Sequence, residues 1–245
     1  MKELLFFFQP KIKKTNHNQY ITYGYEALLR TKDYNGQYTL PNNVLELNKD
    51  CYNFDIFILN LLKETINKVD VFEDKNISVN VHPIFLEDFN ISDIDVLRNF
   101  NCKTIELEVI ESSMISNFEQ FNHNLSRINK ETNVTLTLDD FGKGYTSLER
   151  IFFLNNIHTL KLDRLMTYDL LANEKKRKFI KWMIVFFKEE LNVDIVAEGI
   201  QDLSTLKLLE QMGVDKFQGY LFAKPISIDK ILPVEKNIIN KIFSN

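Results

Sequence analysis

The sequence predicts an α/β fold, and two observations lead to it. Short β-rich runs alternate with amphipathic helical stretches through eight candidate strands, and polar residues alternate with apolar ones along several of those runs. A length of 245 residues suits one closed barrel of this class. We therefore expect a (β/α)8 barrel of the TIM type with an irregular, antiparallel first strand. An open doubly wound sheet is the alternative, but the chain has no Gly-rich phosphate turn to support it.

The first two strand candidates differ from the rest because no helix separates them. Leu4–Phe8 and Tyr20–Leu29 are joined by the short polar connector Lys11–Gln19, so we expect an antiparallel hairpin. The later strand candidates are Ile77–His82, Thr104–Ile110, Val134–Asp139, Thr159–Asp163, Asp194–Glu198 and Lys216–Tyr220. The helical candidates between them include Phe54–Val69, Phe118–Glu131, Lys176–Leu191 and Leu203–Met212. Each helix must cover one face of the sheet, which makes that face apolar.

Composition narrows the classes of partner and location. The net charge is −4, and no basic run is longer than the four residues 175–178, which argues against DNA, RNA or an anionic membrane as a partner. No apolar stretch approaches the ~20 residues of a membrane span. The two cysteines, Cys51 and Cys102, form no CxxC motif, which fits a reducing, cytoplasmic setting. Without a linker-like seam, we expect residues 1–245 to be one stand-alone domain.

Polar residues that alternate along the strands point to a site inside the barrel. The helices cover the apolar face, so the polar set faces inward, and its last members lie at the carboxyl ends of the strands. Oxygen ligands without a cysteine or histidine cluster suit Mg²⁺ or Mn²⁺, and two adjacent aspartates can serve two such ions. Taken singly, an acid at a strand end is more often a helix cap or a surface carboxylate than a ligand, and only the shared position of the set at the same end of successive strands favours a site. The set is Glu26, Asn80, Glu108, Asp139, Asp140, Lys161, Glu198 and Gln218.

Seven or more ordered motifs then resemble one known family. Residues 25–30, Tyr-Glu-Ala-Leu-Leu-Arg, resemble the signature that names the EAL-domain phosphodiesterases of cyclic di-GMP. Residues 8–10, 79–81 and 106–112 are similar to its opening, its third-strand Asn motif and its double-acid strand. Residues 138–148 resemble its Asp-Asp-Phe-Gly loop, and residues 160–164, 196–200 and 218–225 complete the series.

The resemblance implies a role for each matching residue. Glu26, Asn80, Glu108, Asp139 and Asp140 would coordinate two divalent cations, Mg²⁺ or Mn²⁺, with Glu198 completing the site. Lys161 would hold or polarise the attacking water, Gln218 would support that water or the metal shell, and Glu111 would brace the Asp-Asp-Phe-Gly loop. Arg30 would contact phosphate, and Gln9 would contact guanine. The implied reaction is hydrolysis of cyclic di-GMP to linear pGpG by a metal-activated water. A homodimer and an unidentified regulatory protein are the expected partners.

Two departures from the family pattern bear on the loop and the rim of the site. Lys143 stands where the family has a small residue. Gln201 stands two residues after the Ala-Glu-Gly motif, where the family has Glu. Lys143 could contact substrate phosphate, pair with a carboxylate such as Glu111, or point to solvent. Two other functions stay open: a receptor or protein-binding module that does not hydrolyse cyclic di-GMP, and a hydrolase of another phosphodiester. A receptor or binding module of this kind usually lacks some of the metal ligands, whereas the ligand set of this sequence is complete.

Overall fold

Eight strands close into a barrel in the computed structural model, which describes residues 3–33, 35–41, 50–109, 114–143 and 147–243. A short ninth strand, β3, extends the sheet beside the end of β2. The order around the barrel is β1-β9-β8-β7-β6-β5-β4-β2, and β2 closes it by pairing with β1. The strands are β1 (Glu3–Lys14), β2 (Tyr20–Lys32), β3 (Tyr38–Thr39), β4 (Asn76–Val81), β5 (Thr104–Val109), β6 (Val134–Phe141), β7 (Ile157–Leu162), β8 (Asp194–Ala197) and β9 (Lys216–Gln218).

Helices follow most of the parallel strands and form the outer layer. They are α1 (Cys51–Ile66), α2 (Pro83–Glu87), α3 (Phe118–Glu131), α4 (Ser147–Phe153), α5 (Arg164–Thr167), α6 (Glu174–Val185), α7 (Leu203–Gln211) and α8 (Ile231–Phe243). One turn of π-helix, Phe186–Glu190, continues α6. Side-chain caps define several helix starts: Asn117 accepts from the Gln120 amide before α3, and Asn173 accepts from the Lys176 amide before α6.

The antiparallel hairpin at the start of the chain is confirmed, but its first strand is longer than predicted. β1 pairs antiparallel with β2 on one side and with β9 on the other. The prediction that the connector begins at Lys11 is wrong, because β1 continues to Lys14. Lys11 is buried and forms an ion pair with Glu106 across the barrel. A lysine that looks like part of a polar connector therefore belongs to the interior.

The two faces of the strands separate as the alternation predicts. Apolar side chains such as Val79, Leu107 and Leu160 are buried and belong to the hydrophobic core that includes helix residues such as Leu125 and Ile180. Burial of this face supplies the main driving force for folding. The interior carries polar residues in two levels. A lower layer lies toward the amino ends of the parallel strands and consists of Lys11, Asn76, Glu106, Asp194 and Lys216.

Across the part of the chain that the structure describes, no helix is both long enough and apolar enough to cross a bilayer.

Candidate active site

Lys161 is the centre of the upper layer of polar residues, toward the carboxyl ends of the strands. It lies near the end of β7, and only 2% of its side chain is exposed. Its Nζ atom lies 2.8 Å from Glu198 Oε1, 2.9 Å from Glu108 Oε2, 2.9 Å from Asp139 Oδ1 and 3.6 Å from Glu26 Oε2. The contact with Asp139 is one of charge, since its direction falls outside hydrogen-bond geometry. One buried ammonium thus faces carboxylates from four other strands or strand ends.

Three amide side chains surround Glu26 on the opposite wall. Gln218 Nε2 donates to Glu26 Oε2 at 2.6 Å and to Gln9 Oε1 at 3.2 Å. Asn80 Nδ2 donates to Glu26 Oε1 at 3.4 Å, while Gln9 Nε2 donates to the carbonyl oxygen of Ala223 at 3.3 Å. These hydrogen bonds fix the orientation of the Glu26 carboxylate and connect it to the middle of β1 and to the ends of β4 and β9.

The adjacent aspartates Asp139 and Asp140 end β6 in a strained turn. Asp140 has a φ of 54° and Gly142 has a φ of 100°, both in the left-handed region. Glycine is required at 142, because a Cβ there would also lie 2.5 Å from the Cγ and Sδ atoms of Met166. The turn points the Asp140 carboxylate toward Lys143, whose Nζ donates to Asp140 Oδ2 at 2.7 Å.

The electrostatics of the upper layer reflect an excess of acids. Burial raises the pKa of Glu108 well above its ordinary value, although Lys161 opposes the shift. Burial also raises the pKa of Glu198 to about 8 and raises that of Asp140. Burial alone would lower the pKa of Lys161, but Asp139, Glu108 and Glu198 hold it well above its ordinary value. Lys161 is therefore charged, and it does not neutralise all the carboxylates around it.

The upper layer fits divalent cations. Among the described residues, carboxylate oxygens of Glu26, Glu108 and Asp139 lie within 4.8 Å of one another, and so do those of Asp139, Asp140 and Glu198. Glu108 Oε1 is fully buried and finds no hydrogen-bond partner in the same part of the chain. An orphaned buried acceptor is costly unless a cation or donor meets it. Two groups of hard oxygen donors that share Asp139 suit Mg²⁺ or Mn²⁺.

A cleft of about 310 Å³ opens above this layer and shows which residues a ligand would meet. Its lining includes Gln9, Glu26, Asp139, Asp140, Lys161, Glu198 and Gln218 from the predicted set. It also includes Arg164, Tyr220 and Gln201.

Arg164 is a site candidate that sequence reasoning did not select. It is exposed, and its guanidinium forms no hydrogen bond or ion pair with another described side chain. Its stem packs against Gly199, where a Cβ would lie 2.6 Å from the Arg164 Cβ and Cγ atoms. Its position directly after Lys-Leu-Asp, where β7 ends, is the signal that could have identified it.

Arg30 and Glu111, two of the predicted site residues, are not among the described residues that line the cleft. Arg30 does not belong to the described lining of the cleft; its Nη1 donates to the carbonyl oxygen of Leu29 at 2.8 Å, and its guanidinium carbon lies 5.9 Å from the Phe7 ring centroid. Glu111 falls outside the described residues, so its expected role remains a prediction. Lys143 does pair with a carboxylate, as one of the sequence alternatives has it, but its partner is Asp140.

Comparison with known proteins agrees with this geometry. A family model described as "EAL domain" matches residues 1–225. The chain belongs to the EAL domain family. A relative from Borreliella burgdorferi, named cyclic di-GMP phosphodiesterase PdeA, is 30% identical over 209 residues, which cover 82% of this chain and 31% of that protein. This chain spans less than a third of the length of the first curated relatives that it matches.

Solved EAL structures share the barrel. An EAL domain protein from Listeria monocytogenes matches with a TM-score of 0.76 at 26% identity, over 94% of this chain and 91% of that one. A manganese and cyclic di-GMP complex of Klebsiella pneumoniae BlrP1 matches with a TM-score of 0.75 at 23% identity, over 91% of this chain and 56% of that one. The second likeness establishes the fold alone.

Proposed function

We propose that this EAL domain hydrolyses cyclic di-GMP to linear pGpG with two divalent cations, Mg²⁺ or Mn²⁺. The observation that carries the proposal is the surplus of acids in the upper layer, where two groups of carboxylates share Asp139 beside an open cleft. Membership in the EAL family and the named phosphodiesterase relatives support the substrate. Glu26, Asn80, Glu108, Asp139, Asp140 and Glu198 would hold the ions.

The reaction breaks one bond between phosphorus and a 3′ oxygen and forms one bond between phosphorus and the oxygen of water. Bound divalent cations lower the pKa of a water molecule and offset the negative charge of the phosphodiester. Lys161 is fixed by Glu108 and Glu198, so its ammonium would orient the attacking water and stabilise charge that develops at phosphate. Gln218 fixes the Glu26 carboxylate by its hydrogen bond. The proton lost by the water is finally carried by the leaving 3′ oxygen.

The walls of the cleft supply groups suited to the rest of the substrate. Arg164 offers to a phosphate a guanidinium that pairs with no other described side chain, in a cleft whose other charged groups are mostly carboxylates. Tyr220 is 57% exposed and presents an aromatic face on which a guanine base could stack. Gln9 offers an amide for the edge of a guanine, as the family resemblance implies.

The direct test is an assay of the purified protein with cyclic di-GMP, analysed by chromatography of the nucleotides. With Mg²⁺ or Mn²⁺ we expect linear pGpG, and with EDTA we expect unchanged substrate. Binding of cyclic di-GMP without any product in either metal would instead place the protein in the receptor class. Release of product from a linear dinucleotide alone would contradict the proposed substrate.

We also propose that the protein forms a homodimer through an apolar surface of α5, α6 and the segment between them. This surface consists of Leu165, Tyr168, Leu171, Phe179 and Trp182, each more than half exposed. Phe179 and Trp182 contact each other, with ring centroids 6.3 Å apart, so the aromatic area is continuous along α6. Exposed apolar area of this kind is typical of interaction surfaces. Sedimentation of the wild-type protein should show a dimer, which Trp182→Glu should convert to monomer; a monomeric wild type would contradict this proposal.

Three expectations from the sequence stay predictions. They are the stand-alone character of the domain, its cytoplasmic location and its control by a separate regulatory protein.

A further inference from the structure

Lys143 holds a carboxylate that the proposed function assigns to a metal ion. Its Nζ lies 2.7 Å from Asp140 Oδ2, and Asp140 belongs with Asp139 and Glu198 to the second group of potential ligands. Lys161 reaches Asp139 and Glu198, whereas no contact between Lys161 and Asp140 occurs among the described residues. Asp140 therefore has a cation of its own, supplied by the same turn.

The backbone keeps this cation within reach. The left-handed φ angles at Asp140 and Gly142 fold the turn back, and the Lys143 amide donates to the Asp140 carbonyl oxygen at 3.1 Å. Met166 packs against Gly142 and limits the space into which the turn could relax. A lysine tethered three residues from its partner has a high effective concentration at that carboxylate.

The ion pair is nevertheless replaceable. The Lys143 side chain is 55% exposed and that of Asp140 is 32% exposed, so water screens their attraction. Lys161, which is 2% exposed, has no comparable route to solvent. Of these two lysines, the one that can leave its carboxylate for water is therefore Lys143.

We propose that Lys143 is a built-in competitor of the second divalent cation, holding Asp140 until a metal ion displaces it. This inference rests on the proposed function, which places a metal ion at Asp139, Asp140 and Glu198. The lysine weakens binding of the second ion in two ways. Its ammonium must leave Asp140, and its positive charge afterwards stays in the adjacent turn and repels the ion. The first ion, at Glu26, Glu108 and Asp139, is affected less because none of those carboxylates pairs with Lys143 in the described structure.

The consequence is a graded metal requirement. One ion binds at the buried group, and the second binds only when the metal concentration is high enough to displace the lysine. Hydrolysis by two ions would then respond more steeply to Mg²⁺ or Mn²⁺ than in an EAL domain that has a small residue at this position.

The test measures Mn²⁺ binding by isothermal titration calorimetry on metal-free protein without substrate. Lys143→Gln should tighten the weaker of two binding steps by about fivefold, the upper end of the range expected for loss of a solvated ion pair. Lys143→Arg, which keeps the charge, should leave that step within about twofold of wild type. Higher ionic strength should narrow the difference between wild type and Lys143→Gln, because salt screens the exposed pair.

Lys178→Gln is the matched control. Lys178 forms a comparable surface ion pair with Glu174 at 2.8 Å on α6, and it does not line the cleft. Its substitution removes the same charge and should leave both binding steps unchanged. Two unchanged binding steps in Lys143→Gln, or an equal gain in Lys178→Gln, would overturn the role of Lys143 while leaving the metal site standing. An absence of Mn²⁺ binding in every protein would refute the metal site itself, and this inference with it.

Discussion

The interior of the barrel contains two layers of charged residues, and β5 contributes one glutamate to each. Glu106 in the lower layer pairs with Lys11 and accepts a hydrogen bond from Asn76 at 2.8 Å, while Lys216 pairs with Asp194. Glu108 in the upper layer shares Lys161 with three further carboxylates. Both glutamates are buried to a similar extent.

The pKa values of Glu106 and Glu108 shift in opposite directions because the two layers differ in the number of cations available to each carboxylate. Burial raises the pKa of Glu106, but Lys11 and Asn76 bring it below its ordinary value. Burial raises the pKa of Glu108, and its share of Lys161 does not reverse the shift. A buried carboxylate with its own cation has its burial cost offset, whereas one in excess is costly until a cation arrives. The lower layer is therefore structural, and the upper layer is prepared for a ligand.

The largest expected effect is the loss of turnover in Asp139→Asn. Asp139 belongs to both groups of carboxylates, so its neutralisation weakens both proposed cation sites. We expect hydrolysis of cyclic di-GMP to fall by about a thousandfold or more, equivalent to about 4 kcal/mol. The matched control is Asp194→Asn in the lower layer, which should retain turnover per folded molecule. A rate within tenfold of wild type for Asp139→Asn would contradict the assignment.

Glu106→Gln should have the largest effect on stability. It leaves the ammonium of Lys11 buried without a carboxylate, so we expect the free energy of unfolding in denaturant to fall by about 3–5 kcal/mol. Adding Lys11→Met to the same protein should restore most of that loss, because no unpaired charge then remains. A stable Glu106→Gln protein would show that the lower layer does not depend on its ion pairs.

Acid should act on the lower layer through Glu106 and Asp194. Burial opposes the shift in both, but their lysine partners hold both pKa values below the ordinary 4.5 and 3.8. The unfolded chain therefore takes up protons first as the pH falls, and stability is lost below these values. Unfolding measured between neutral and acidic pH should show this loss, with a shallower slope in Glu106→Gln. Equal slopes would contradict the lowered pKa of Glu106.

The smallest expected effect concerns Arg164 at the rim of the upper layer. Arg164→Gln removes an exposed guanidinium from the cleft, so we expect KM for cyclic di-GMP to rise about fivefold with little change in kcat. Arg164→Lys should recover part of the loss, and added salt should reduce the difference. If kcat fell and KM did not change, Arg164 would act on the chemistry and not on substrate binding.

Much of the barrel and of its site could be predicted from sequence, because period-two alternation assigns each residue to a face without knowledge of its partner. That rule placed Asn80, Glu108 and Lys161 in the interior. It did not extend to Lys11, whose partner Glu106 is 95 residues away and becomes visible only when the barrel closes. The end of a strand that is polar in sequence can depend on such long-range pairs, and local composition does not reveal them.

The details of the rim escaped sequence reasoning for a different physical reason. Whether Lys143 contacts Asp140, Glu111 or solvent depends on the φ angles of one turn, and the same sequence is compatible with all three. In the sequence, nothing distinguishes Arg164 from an ordinary surface arginine, and only the folded structure places Gly199 beside its stem. Side chains that are half exposed take their roles from a few contacts, which motif spacing does not determine.

The most direct test of the contrast between the layers is thermal unfolding of wild type, Glu106→Gln and Glu108→Gln, each in EDTA and in saturating Mn²⁺. Wild type should gain about 5 °C or more with Mn²⁺. Glu108→Gln should be at least as stable as wild type in EDTA and should lose most of the gain, because it removes an excess acid that we propose as a metal ligand. Glu106→Gln should unfold at lower temperature in both conditions and keep the gain. Destabilisation of Glu108→Gln in EDTA with an undiminished response to Mn²⁺ would contradict the account.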